Sequence, residues 1–168
     1  MRGDTMHKTL AAVIGAVSVT AALGGASLAG ASARTAASGT EHFQLMTTSA
    51  TSKTSSIIAT GVFTAGGTDT RTTNSTDTVT FPTGTFVITH SKGTGTQSFN
   101  PKTCLLKVNM KGTYKLGSGT GAYAHLSGSG TYQLSILAVG AKSGGKCSRT
   151  PPSTWQQVIR ASGPVSLR

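Results

Sequence analysis

Acidic side chains are the scarcest functional resource in this chain: 168 residues hold four Asp and Glu against 15 Lys and Arg. Aromatics make up 5%, proline occurs five times and cysteine twice. No apolar run reaches the roughly 20 residues that a bilayer-spanning helix needs. No stretch shows the 3.6-residue period of an amphipathic helix. Each shortage excludes something. Glycoside hydrolysis generally draws on two carboxylates flanking the bond, and hydrolytic metal sites draw on clustered ligands. Composition therefore disfavours an enzyme, and no cofactor motif is recognisable.

The N-terminus has the layout of an export signal. Met1–Lys8 carries Arg2 and Lys8, Thr9–Leu23 is a 15-residue apolar core, and Ala31-Ser32-Ala33 is a small-x-small cleavage triplet. Residues 1–33 are read as a secretory signal peptide, 34–40 as a flexible leader and 41–168 as one β domain. The expected product is extracellular, with no membrane span after signal removal. It keeps thirteen Lys and Arg and three acids, Glu41, Asp69 and Asp77, a net charge of +10. Such a charge favours attraction to polyanions and says nothing about fold.

An even cysteine count in an exported domain reads as a disulfide, here Cys104–Cys147. Closing a loop of that length stabilises by about 4 kcal/mol in the chain-entropy model.

The mature chain alternates with period two in Thr, Val, Ile, Phe and Tyr, between Gly-rich turns. Cys104–Leu116 is the clearest strand. Cys104, Leu106, Val108, Met110, Tyr114 and Leu116 share one parity, and the other parity is nearly all polar. That pattern predicts a long strand with its even face in the core. Shorter segments at 41–48, 56–65, 76–81, 85–91, 97–99, 131–139 and 155–167 bring the count to about eight. An antiparallel barrel satisfies such strands best, with a β-sandwich as the alternative. Pairing 104–116 with 131–139 would bring Cys104 within reach of Cys147 and staple a loop at 140–153.

Lys115–Tyr132 reads KLGSGTGAYAHLSGSGTY, a strand, a G-x-G-x-G-x-Y turn and a G-x-G-x-Y opening of the next strand. This hairpin resembles that of the allene oxide cyclase and dirigent-like barrels. The stretch from Ser98 to Cys104 resembles uncharacterised secreted bacterial proteins with the same hairpin. The resemblance covers about Gln97–Leu137. It implies an eight-stranded barrel with an apolar interior, often a homo-oligomer, in a superfamily that cyclises or guides reactive small molecules.

Other motifs lead nowhere. Gly140–Lys146 has the GxxxxGK skeleton of a phosphate loop, but Cys147 follows it and no helix does. His42, His90 and His125 lack metal-ligand spacing. Parity alone hints at a site: Glu41, Asp77 and His90 fall on inward faces at expected strand ends, where they could line a barrel mouth and do acid–base work. Lys107, Lys111 and Lys115 form a basic stripe on the outer face of the long strand. No interleaved aromatics suggest base stacking, so sequence-specific nucleic-acid binding is not expected. Three readings follow: a non-catalytic barrel binding a small apolar ligand or serving structurally; a cyclase- or isomerase-like barrel using Asp77, Glu41 and His90; and cationic adhesion to an anionic cell-wall polymer.

Overall fold

The structure, a computed structural model, describes residues 36–168; the expected signal peptide, 1–33, lies outside them. Nine antiparallel strands occur in chain order: β1 (Ala37–Thr47), β2 (Thr54–Thr60), β3 (Ala65–Arg71), β4 (Thr76–Phe81), β5 (Gly84–His90), β6 (Thr94–Asn100), β7 (Leu105–Gly119), β8 (Ser127–Ser143) and β9 (Lys146–Leu167). Among the described residues the only helical element is one 3-10 turn, Gly121–Tyr123, and none is long and apolar enough to cross a membrane.

Eight strands close into a barrel. The order β5-β4-β3-β2-β1-β9-β8-β7 returns on itself because β5 also pairs with β7. Closure uses only the C-terminal half of β7, from His90↔Tyr114 to Phe86↔Gly119. Its N-terminal half pairs along the same edge with β6, from Thr94↔Lys111 to Asn100↔Leu105. β5 and β6 are therefore one strand interrupted at 91–93. β1 leaves β9 at Thr47↔Gln157, and β9 before that point pairs only with β8. The result is a four-stranded sheet, β6-β7-β8-β9, projecting beyond the barrel.

The core lies in the barrel. Phe43, Ile57, Ala59, Val79, Phe81, Phe86, Tyr114, Leu116 and Tyr123 are buried in one cluster. Each fully buried large apolar side chain contributes about 1.5–3 kcal/mol. One barrel end is plugged by rings: Phe63 and Tyr123 centroids lie 5.1 Å apart, Phe86 and Tyr123 5.5 Å, Phe81 and Tyr123 5.6 Å. The Gly-rich hairpin delivers Tyr123 there. Gly121 (φ 56°) packs so closely on the β4–β5 turn that a Cβ would sit 2.3 Å from Thr83 O. Gly84 (φ 150°) meets Thr120 O in the same way.

Three expectations need correction. Leu106, Val108 and Met110 are half-buried rather than core, because they lie on the projecting sheet, where no strand stands opposite. Ala37–Thr40, expected in a flexible leader, is paired with β9 from Ala37↔Leu167 to Thr40↔Pro164. The expected loop at 140–153 is the tip of the β8–β9 hairpin. Gly144 (φ 55°) and Gly145 (φ 77°) supply the two positive-φ positions of a tight two-residue turn, which accounts for the GxxxxGK skeleton.

Cys104 and Cys147 are disulfide-bonded, tying the start of β7 to β9. The tie sits on the projecting sheet, so its loss acts first there. Cys104→Ser/Cys147→Ser is expected to cost about 4 kcal/mol. In hydrogen exchange, β6 and the β8–β9 tip should lose protection while the barrel ladders keep theirs; uniform loss would contradict this placement.

Candidate functional site

The end opposite the ring plug is open. There the β1–β2 loop, the C-terminal ends of β3 and β5 and the N-terminal end of β4 surround a cavity of about 220 Å³. Its apolar wall comes from Phe43, Leu45, Ile88 and Ile159, and its polar wall from Asp69, Asp77, Arg71 and His90.

The polar wall is built by one hairpin. β3 and β4 pair from Thr68↔Thr80 to Arg71↔Asp77, and a Thr72–Thr76 closure holds the turn. Inward parity on β3 falls on Ala65, Gly67, Asp69 and Arg71. Asp77 stands opposite Ile88 on β5, which places His90 diagonally across. His90 Nε2 lies 3.3 Å from Asp77 Oδ2. The imidazole is fixed further by His90 Nδ1, 3.2 Å from Ser91 O, and by an edge contact with Tyr132. Tyr132 OH donates to the same carbonyl at 2.9 Å.

Asp69 is only 6% exposed, and its Oδ1 has no hydrogen-bond partner among the described residues. Burial, reinforced by the charge of Asp77 and partly offset by Arg71, pushes its carboxyl up to about 7. Burial also raises Asp77, against the opposing pull of His90 and Arg71. Desolvation thus raises both carboxyls on this wall, and that of Asp69 well above the usual carboxylate range.

Of the three residues expected to share a mouth, Asp77 and His90 come together and Glu41 does not join them. β1 begins at Ala37, so Glu41 sits inside the strand rather than at its end. It lies on the plugged side of Phe43, fully buried, with Oε2 accepting from Phe63 N at 3.1 Å. Burial raises its carboxyl; backbone N–H groups of Phe63, Val62 and His42 pull the other way. Tyr114, whose hydroxyl has no partner among the described residues, is pushed up to about 12 by burial and by the Glu41 charge.

Asp69 and Arg71 were missed because β3 has almost no apolar side chain to reveal it. A signal existed: Thr68-Asp69-Thr70 and Thr76-Asp77-Thr78 repeat one tripeptide on either side of a turn. Among the described residues no group of three His, Cys, Asp or Glu could hold a metal ion. Lys107, Lys111 and Lys115 are all exposed on the outer face, away from the cavity.

Between pH 3.8 and about 7 the folded state binds more protons at Asp69 than the unfolded chain does. This group therefore lowers stability as pH rises through that window, and its full cost is present above 7. In urea melts from pH 4 to 8, Asp69→Asn should flatten that decline and gain stability at pH 8. An unchanged slope would show that the carboxyl is not desolvated as described. No protein-family model, curated protein or solved structure matches this chain, so the mouth is read from its own geometry.

Proposed function

We propose that the protein is exported and binds a small molecule in the barrel mouth, one with an apolar body and a hydrogen-bond-donating head such as an amine or alcohol. The observation carrying this reading is Asp69, a buried carboxyl that lines the cavity opposite its apolar wall and whose Oδ1 has no partner among the described residues. An unpaired buried polar group costs about 1–3 kcal/mol, which a donor on the ligand recovers. A dry cavity of about 150 Å³ holds benzene. A volume of about 220 Å³ therefore takes a somewhat larger body, with any remainder leaving through the mouth. Export is supported by the disulfide, a bond favoured in oxidising compartments. Acid–base chemistry would draw on the same mouth, through Asp77 and His90 without Glu41. Recovery of the ligand unchanged separates binding from turnover.

Thermal shift and calorimetry with phenethylamine, phenethyl alcohol and ethylbenzene test the reading, alongside native mass spectrometry of protein from culture medium. The two probes with a head should bind about tenfold tighter than ethylbenzene. Asp69→Asn should remove the preference for the amine, and Leu45→Trp should abolish binding while leaving a cooperative melt. No adduct in the mass spectra and no shift at millimolar probe would overturn it.

A further inference from the structure

All three carboxylate side chains among the described residues, Glu41, Asp69 and Asp77, point into the barrel. Among the described residues the outer surface consequently has no acidic side chain to neutralise its cations. From Thr78 to Arg168 there is no Asp or Glu at all, and there are ten Lys and Arg.

On the outer face of β7-β8-β9, Lys111, Gln133 and Arg160 stand in one row across three strands. Two strand spacings separate the cations by about 10 Å at the backbone. Lys107 and Lys115 flank Lys111 along β7, at right angles to that row, each about 14 Å from Lys111. All four cations are exposed. Between Lys111 and Arg160 lies a shallow groove of about 270 Å³, with Asn109, Gln133, Ser135, Thr94 and Thr96 among its walls. The groove therefore joins two cations to neutral amides and hydroxyls around an apolar floor of Met110, Leu134 and Val158, and no aromatic ring lines it.

That combination selects a ligand class. Amides and hydroxyls hydrogen-bond polyol hydroxyls, and the paired cations take an anion. A phosphodiester has two non-bridging oxygens directed apart, so one can face Lys111 while the other meets the Arg160 fork. The missing rings give bases nothing to stack on, which disfavours single-stranded nucleic acid. We propose that this outer face docks a polyol-phosphate chain, seating one phosphodiester between Lys111 and Arg160 and neighbouring ones along Lys107 and Lys115. The surface lies on the opposite side of the sheet from the cavity and stands independently of the ligand-binding reading.

Poly(glycerol phosphate) binding, measured by calorimetry from 50 to 300 mM salt, tests this on the full mature protein. Lys111→Glu/Arg160→Glu should weaken binding at least tenfold and make the salt dependence shallower. Lys142→Glu/Lys146→Glu, the same charge change at the hairpin tip, should weaken it less than threefold. Lys111→Gln/Arg160→Gln serves should charge reversal disturb the strands, and Leu45→Trp should change nothing. Equal losses in the two reversed pairs would reduce the effect to net charge and overturn the site. Single-stranded DNA binding as tightly, with the same sensitivity to Lys111 and Arg160, would also overturn it, as would no binding at 50 mM salt.

Discussion

The architecture depends on how one edge of β7 is divided. β7 is longer than the barrel is tall, and its partner strand breaks after His90 and resumes at Thr94. The first part closes the barrel, since without β5–β7 pairing the sheet would be open. The second part carries the sheet past the rim. Ser91 stitches the break: its N–H donates to Thr113 O, its hydroxyl accepts from Thr113 N, and its carbonyl accepts from Tyr132 OH. The mouth forms at this break because barrel wall becomes projecting sheet there. His90, the last residue of β5, is thereby held at the rim beside Asp77.

The two barrel ends solve different packing problems. At one, short turns let Phe63, Phe81 and Tyr123 fold inward, filling space that strand residues alone leave empty. At the other, the β3–β4 hairpin places carboxylates where an apolar core would ordinarily continue. Backbone amides partly compensate Glu41 through Oε2, yet Glu41 Oε1 and Asp69 Oδ1 each lack a partner among the described residues, and of the two only Asp69 lines the cavity. A buried polar group left unsatisfied in a stable fold calls for an explanation. A ligand-binding cavity at that position supplies one.

Sequence made some of this legible for physical reasons. β7 was readable because its alternation is long and chemically sharp, and the disulfide because only two cysteines exist. β3 was unreadable because its inward positions are Ala65, Gly67, Asp69 and Arg71. At Gly67 a Cβ would stand 2.6 Å from the Phe81 ring, so a neighbour fills the space where an apolar residue would have announced the strand. The start of β1 was hidden too, because small polar residues pair through their backbone and leave no pattern. Periodicity named the face of Leu106, Val108 and Met110 correctly. It could not say whether anything stands opposite that face, which depends on where distant strands end.

Ala37 and Leu167 pair side by side near the plugged end, while the cavity opens at the other. Anything tethered through either residue leaves the barrel by its sealed base. A cargo domain, a label or an immobilising linker would thus stand behind the barrel and leave its entrance unobstructed. Orientation on a support is set by the β1–β9 ladder, whichever of the two positions is used.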